Sequence, residues 1–182
     1  ATQSEVPEIV LLNSHDGTSS YQLLAGIFRM VCSNGMIAGD VCNDIRIRHS
    51  GNVVDDVIEG SFTVLDNLND VTERIGTYKA LPLLPDEQAL LANAAIGLRW
   101  GESAPVTANE VLRPRRWEDR KDDLWTVSNR LQESLIRGGN LGRNANGRRV
   151  RTSAITVVNE DVKLNRALWS ITDHFAKMKL AA

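Results

Sequence analysis

Short apolar runs separated by polar turns occupy the first quarter of the chain. Glu8–Leu12 is a compact run with Ile and Val, which predicts a buried strand. Tyr21–Cys32 has apolar residues at three- and four-residue steps and is predicted to be a helix, ended by a cap at Ser33–Gly35. Met36–Ile37 and the alternating segment Asp44–His49 predict two further strands.

Helical periodicity dominates the rest of the chain. Gly138–Gly147 is predicted to be a loop, and Arg149–Val158 is predicted to include a strand. Because the predicted strands cluster instead of alternating with helices, we expect an α+β fold that is mainly helical, with a small, mostly antiparallel sheet. The segments with helical spacing are Asn52–Tyr78, Asp86–Trp100, Thr107–Leu112, Asp122–Arg137 and Asn159–Lys177.

The length of 182 residues suits one domain. The chain begins at Ala1 without a methionine, so we expect native residues upstream. Lys179–Ala182 match the linker that common cloning vectors encode, although a native helix end is the alternative. We therefore expect a single domain over residues 1–178 and a vector-derived tail. Two cysteines, Cys32 and Cys42, and no long apolar run indicate a cytoplasmic protein without a membrane segment.

Basic residues concentrate in one part of the chain. Residues 113–151 carry eleven basic and five acidic side chains, a net charge of +6 in a chain whose total is −2. Ten of the eleven are arginines, whose planar fork suits phosphate. An arginine beside Trp117 can bind phosphate while the ring stacks on a base, although ion pairs with Glu118 and Asp119 would explain the segment equally well. The predicted nucleic-acid-binding residues are Arg115, Arg116, Trp117, Arg148, Arg149 and Arg151.

A second candidate site lies in the polar block Asn13–Gly17. His15 and Asp16 could form a general base, a metal ligand or an anion contact, with Arg29 as a partner for the carboxylate. A tight turn and a structural salt bridge are the alternatives. His49 could join them, but the spacing matches no zinc pattern, so we expect neither a metal nor a cofactor.

Asn129 and Glu133 are one helical turn apart and share a face with Arg137, with which Glu133 could simply form an ion pair. We expect these residues to converge with the first polar block on one composite site. The predicted walls of that site are Asn13, Glu118, Asp119, Asn129 and Glu133.

Eight segments of the chain together carry a family resemblance. They are Asn13–Thr18, Phe28–Gly35, Arg46–Gly51, Arg115–Asp119, Leu124–Val127, Asn129–Glu133, Arg137–Gly139 and Asn165–Trp169. With these segments the chain resembles the phage/plasmid-like protein family, known as domain of unknown function 932. The resemblance covers nearly the whole chain and implies a setting on prophages, plasmids or integrated elements of bacteria. It implies no particular reaction.

Three hypotheses follow from these features. The first is a mobile-element accessory protein that binds DNA or RNA through an arginine-rich surface. The second is a hydrolase or nuclease that uses His15, Asp16 and Arg29. The third is a protein-interaction module, such as an inhibitor of a host system. The pattern leaves the oligomeric state undetermined.

Overall fold

The computed structural model describes residues 5–13, 20–29, 34–37, 45–48 and 52–182. It divides the chain into two compact units, Ala1–Arg74 and Ile75–Ala182. Both contain helix and antiparallel sheet, so the expected α+β class is confirmed. The expectation of a single domain stays a prediction. Within the described residues, none of the helices combines the length and apolar character needed to cross a membrane.

The first unit contains an antiparallel sheet whose central strand pairs on both edges. β1 (Glu5–Asn13) pairs with β2 (Ser20–Arg29) along its whole length, from Glu5 opposite Arg29 to Asn13 opposite Tyr21. The other edge of β2 is shared by two short strands. β3 (Asn34–Ile37) pairs with its end and β4 (Ile45–Arg48) pairs with its start. The strands predicted at these three flanking positions are therefore confirmed, but the burial predicted for Glu8–Leu12 is wrong, because its residues are exposed or only partly buried.

The helix predicted at Tyr21–Cys32 is wrong, because Ser20–Arg29 is a strand. Its apolar residues fit a helical face, but periodicity alone does not distinguish an apolar helix from an apolar strand. Backbone pairing with β1 on one edge and with β3 and β4 on the other decides between them. The cap predicted at Ser33–Gly35 is also wrong, since Asn34 and Gly35 begin β3. Arg29 consequently ends a strand and does not lie within a helix.

Helix α1 (Val53–Lys79) confirms the long helix predicted at Asn52–Tyr78. Its apolar positions divide between two sides. Leu68 and Val71 are buried, whereas a second row at helical spacing is exposed. Such an exposed row is the kind of surface that the protein-interaction hypothesis requires. The exposed row consists of Val54, Ile58, Phe62 and Leu65.

The second unit is built mainly from helices. Each helix predicted in this part of the chain is confirmed within a few residues. The loop predicted at Gly138–Gly147 is partly wrong, because its middle forms the first strand of a hairpin. In order, the elements are α2 (Pro85–Trp100), a 3-10 turn (Gly101–Ser103), α3 (Ala108–Val111), a 3-10 turn (Trp117–Arg120), α4 (Leu124–Arg137), β5 (Leu141–Arg143), β6 (Arg149–Arg151) and α5 (Val158–Ala181).

Helix α4 forms the core of the second unit, since all twelve residues of Leu124–Leu135 are buried. Its apolar side packs in a core that includes Trp125, Trp169 and Tyr78, whose rings meet edge to face. Burial of each large apolar side chain stabilises the fold by about 1.5–3 kcal/mol. The Tyr78 hydroxyl donates to Asp173 at 2.5 Å. Asp123 caps the helix by accepting from the Thr126 N–H at 2.8 Å.

The polar residues of α4 are buried as well, so they need internal partners. Gln132 donates to Asn165 Oδ1 on α5 at 3.0 Å. Ser128 Oγ accepts from Thr172 Oγ1 on α5 at 2.9 Å. These bonds join α4 to α5. Hydrophobic patterning alone would place the polar side chains of Ser128 and Gln132 in solvent, whereas both are buried.

Helix α5 continues to Ala181. Lys179 contacts both carboxylate oxygens of Glu87 on α2 at 2.7 Å. That hydrogen bond, together with one from the Leu84 N–H, lowers the pKa of Glu87. The expected vector origin of residues 179–182 stays a prediction, and the first of these residues takes part in the helix packing.

Candidate nucleic-acid interface

The hairpin formed by β5 and β6 presents its basic residues on one face. Arg143 lies opposite Arg149, and Leu141 lies opposite Arg151. Directly opposed residues of an antiparallel pair point to the same side, and alternate residues of a strand do as well. These four side chains therefore share a face, and all four are exposed. Val150, on the opposite face, is partly buried.

We refer to Arg143, Arg148, Arg149 and Arg151 as the arginine hairpin. Arg148 lies at the end of the turn, where its N–H donates to Asn144 Oδ1 at 3.0 Å. The Gly147 N–H donates to the Asn144 carbonyl at 2.9 Å, and Gly147 has a φ of 73°. A left-handed residue of this kind closes the turn at little steric cost for glycine. The basic residues are thus carried by a hydrogen-bonded turn.

The outer edge of β5 is tied to the segment before α4. The Leu141 N–H donates to Glu110 Oε1 at 3.0 Å. The Arg143 N–H donates to the Pro105 carbonyl at 2.8 Å. A β-carbon at Gly142 would overlap that same carbonyl, so this position requires glycine. These contacts hold the arginine hairpin against the body of the second unit.

Direct ion pairs do not neutralise the arginine hairpin within the described residues, and Glu110, whose carboxylate reaches β5, binds the Leu141 N–H instead. In the part of the chain that the structure describes, none of the hairpin's four arginines forms an ion pair with a carboxylate. The Arg143 guanidinium donates to the Gly147 carbonyl at 2.8 Å, and that of Arg151 donates to the Gly139 carbonyl at 3.2 Å. Like charges placed opposite each other destabilise a strand pair. The positive charge of these arginines is therefore left for an anionic ligand to neutralise.

Arg115 extends this basic surface at the base of the hairpin. Its guanidinium donates to the Gly138 carbonyl at 2.7 Å and to Asn140 Oδ1 at 3.2 Å. Arg115 and Arg151 therefore bind two consecutive carbonyls, those of Gly138 and Gly139. Arg115, which comes from the segment before α4, is therefore bonded at the base of the hairpin.

Arg116 points in the other direction, into the protein. Its fork binds both oxygens of Glu133, at 2.9 and 2.6 Å, and its Nη1 lies 3.3 Å from Asp119 Oδ2. Arg137 Nη1 is 3.6 Å from Glu133, which is the helical ion pair that the spacing allows. We refer to Arg116, Asp119, Glu133 and Arg137 as the anchor cluster. It fastens the segment before α4 onto α4.

Trp117 follows Arg116 and remains 75% exposed. The guanidinium of Arg120 lies 4.8 Å from the centre of its ring, a cation–π contact within the same 3-10 turn. Of the six predicted nucleic-acid-binding residues, all except Arg116 are exposed. Sequence reasoning did not single out Arg143, although the alternation Arg149-Val150-Arg151 was a signal for an exposed strand that could pair with it.

The predicted composite site is brought together only in part. Asp119 and Glu133 meet at Arg116, as described above. Asn129 is buried and donates to the Trp125 carbonyl at 2.8 Å, and Glu118 is exposed. The two carboxylates are held by guanidinium groups, an arrangement that favours structural ion pairing over acid–base catalysis.

The first-unit candidates are less fully described. Asn13 ends β1 opposite Tyr21, and Arg29 ends β2 opposite Glu5 and Asn34. The other residues considered there lie outside the described residues, namely His15, Asp16, Cys32, Cys42 and His49. Convergence of this polar block with the second unit stays a prediction. Within the described ranges, no group of three or more His, Cys, Asp or Glu could hold a metal ion.

A cleft of about 450 Å³ adjoins the start of α5 and is lined in part by Arg99, Glu160 and Lys163. The Arg99 guanidinium donates to the Ser153 carbonyl at 2.7 Å and also to the Leu135 carbonyl. Burial lowers the pKa of Arg99. Glu160 and Lys163 carry opposite charges, so the cleft favours neither an anionic nor a cationic ligand. The exposed arginines of the hairpin indicate an anionic ligand more clearly.

A family model described as "Domain of unknown function (DUF932)" matches residues 1–169. The chain belongs to this family. UPF0380 protein YafZ and UPF0380 protein YfjQ of Escherichia coli (strain K12) are each 50% identical to it over 173 residues. The match covers 94% of the chain and 63% of each of these proteins. The chain thus spans less than two thirds of the length of these DUF932 relatives. No solved structure matches it significantly.

Within this DUF932 chain, the fully described second unit carries the arginine hairpin, Arg115 and Trp117. The arrangement suits contact with an extended polyanion, because exposed arginines lie along the hairpin and the guanidinium of Arg120 lies against the exposed ring of Trp117.

Proposed function

We propose that this chain is a nucleic-acid-binding accessory protein of a bacterial mobile genetic element, acting in the cytoplasm. The arginine hairpin is the binding element, and Arg115 extends it. The observation that carries the proposal is the exposed face on which Arg143 lies opposite Arg149 without a carboxylate partner among the described residues. The mobile-element setting rests on the resemblance of the sequence motifs to the phage/plasmid-like family.

Phosphate groups fit this face for a geometric reason. Each guanidinium presents a planar fork that can donate two hydrogen bonds to a phosphate. A two-stranded ribbon is narrow enough to lie along a nucleic-acid backbone or to enter the major groove of a duplex. The unequal placement of charge within the chain, +6 over residues 113–151, would attract such a polyanion from a distance.

Binding of this kind releases counterions, so the affinity must fall with added salt. The logarithm of the binding constant falls by roughly 0.7–0.9 per tenfold salt increase for each phosphate that is neutralised. If the three arginines on the exposed face each neutralise one phosphate, their removal lowers the slope by roughly 2–3.

The experiment is a fluorescence-anisotropy titration of labelled oligonucleotides at several salt concentrations. The test variant replaces Arg143, Arg149 and Arg151 with glutamine. A control, Lys177→Gln, removes a positive charge from α5, where the lysine side chain is 70% exposed and pairs with Asp173 at 2.6 Å. We expect the triple variant to lose affinity and salt slope, while the control keeps both. Circular dichroism confirms that each variant is folded.

Two results would contradict the proposal. One is the absence of binding to single-stranded or double-stranded DNA or RNA at low salt. The other is an unchanged salt slope in the triple variant, which would mean that these guanidinium groups contact no phosphate.

A further inference from the structure

Trp117 differs from the other tryptophans of the chain in its exposure. It is 75% exposed, whereas Trp125 and Trp169 are 2% and 0% exposed, and Trp100 is partly buried against Arg99. Leaving a large aromatic surface in water forgoes the stabilisation that burial would bring. Its position is therefore not explained by packing against the residues that the structure describes.

The backbone that carries Trp117 is firmly held. Before the ring, Arg116 is bound to Glu133 at 2.6 and 2.9 Å. After it, Arg130 of α4 donates to the Lys121 carbonyl at 2.8 Å and to Asp122 Oδ1 at 2.9 Å. Both ends of the 3-10 turn are thus fastened to the buried helix α4. A binding group on such a support loses little conformational entropy when its ligand arrives.

The surroundings of the ring are cationic. Arg120 lies against the ring at 4.8 Å from its centre. Arg115, two residues before Trp117, is bonded to the Gly138 carbonyl at the base of the hairpin. Exposed Arg113 precedes it. An aromatic surface bordered by guanidinium groups matches the combination of a flat base and an adjoining phosphate.

We infer that Trp117 is a base-stacking platform and that the ligand of this surface is a single-stranded nucleic acid. The inference rests on the proposed function and names its substrate class. In a duplex, each base already stacks on its neighbours, and its face is closed to a side chain. In a single strand, the phosphates follow the arginine hairpin and Arg115 while an unpaired base covers the ring of Trp117. Stacking has no requirement for a particular base, so sequence preference is weak.

The test compares Trp117→Ala and Trp117→Phe with the unaltered protein. The probes are labelled single-stranded DNA, single-stranded RNA and duplex DNA of about 20 nucleotides, longer than the roughly 4–16 nucleotides that one OB-fold domain covers. We expect Trp117→Ala to weaken single-strand binding by about 5- to 150-fold. Trp117→Phe keeps most of the affinity because it keeps an aromatic face. The DNA and RNA arms identify the preferred sugar.

The salt dependence separates this inference from the proposed function. Stacking neutralises no phosphate, so Trp117→Ala keeps the salt slope of the unaltered protein, whereas the hairpin triple variant loses it. Equal single-strand affinity of Trp117→Ala and the unaltered protein overturns the stacking role and leaves the hairpin proposal standing. Tighter binding to duplex than to single strands also overturns it. Failure of the unaltered protein to bind any probe overturns the proposed function itself.

Discussion

Removal of Arg116 tests whether the anchor cluster holds the Trp117 segment in place. Arg116 is the shared partner of Glu133 and Asp119, whose side chains are 3% and 1% exposed. Replacing it with alanine leaves both carboxylates buried without the guanidinium that binds them. Arg116→Ala therefore lowers stability mainly because two buried carboxylates lose a charged hydrogen-bond donor, and less because apolar packing is lost.

The magnitude follows from the geometry. Breaking a buried ion pair by removing one partner costs about 3–5 kcal/mol. Arg137 remains 3.6 Å from Glu133, and the Arg116 side chain is itself 24% exposed, so we expect the lower end, about 3 kcal/mol. The matched control is Arg137→Ala. Its side chain is 44% exposed and its contact is longer, so we expect a loss of about 1 kcal/mol or less.

Urea unfolding followed by circular dichroism measures both variants. With a slope of about 2 kcal/mol per molar urea, the midpoint falls by about 1.5 M for Arg116→Ala and by at most about 0.5 M for Arg137→Ala. Adding Glu133→Gln to Arg116→Ala removes a buried carboxylate charge that only the longer contact with Arg137 still balances, so the double variant should be more stable than Arg116→Ala. Equally small losses for the two arginine variants, or no recovery in the double variant, would refute the reasoning.

Two further predictions concern packing and pH. Gly142→Ala should lower the free energy of unfolding by about 1–3 kcal/mol, because the added β-carbon would overlap the Pro105 carbonyl. Gly97→Ala should raise the free energy of unfolding by about 0.5–1 kcal/mol, because the added β-carbon meets open space and alanine favours the helix. Thermal melts in which the two alanine variants shift in the same direction would contradict this assignment. Because Lys179 lowers the pKa of Glu87, the unfolded chain takes up the proton more readily than the folded protein. The stability that this pair contributes is present above the ordinary glutamate pKa of about 4.3 and is lost as the pH falls through the lowered pKa of the folded protein. The difference in melting temperature between the unaltered protein and Glu87→Gln should therefore shrink on acidification. A difference that widens on acidification would show that the pair is misassigned.

The long helices could be predicted from the sequence because their signals are local. α1, α2, α4 and α5 each begin and end within a few residues of the segments predicted by apolar spacing. The same local reasoning failed for β2, where spacing suited a helix. Strand pairing depends on partners at a distance in sequence, and β2 is paired along one edge with β1 and along the other with β3 and β4.

The candidate site shows a similar division. Composition alone indicated that residues 113–151 carry excess positive charge and an arginine-flanked Trp117. It could not distinguish Arg116, which binds Glu133 inside the protein, from Arg115, which binds the Gly138 carbonyl at the base of the hairpin. Neighbouring residues of one chemical type point in different directions once the backbone has turned.

The sequence by itself determined the fold class, the approximate positions of the helices and the region of excess charge. The tertiary structure decided which arginines are exposed, that Arg143 lies opposite Arg149, and that Trp117 stands on a segment fastened to α4. The physical reason is that periodicity and charge are properties of neighbouring residues. The direction of a side chain and the identity of its partner depend on contacts between segments that the sequence keeps apart.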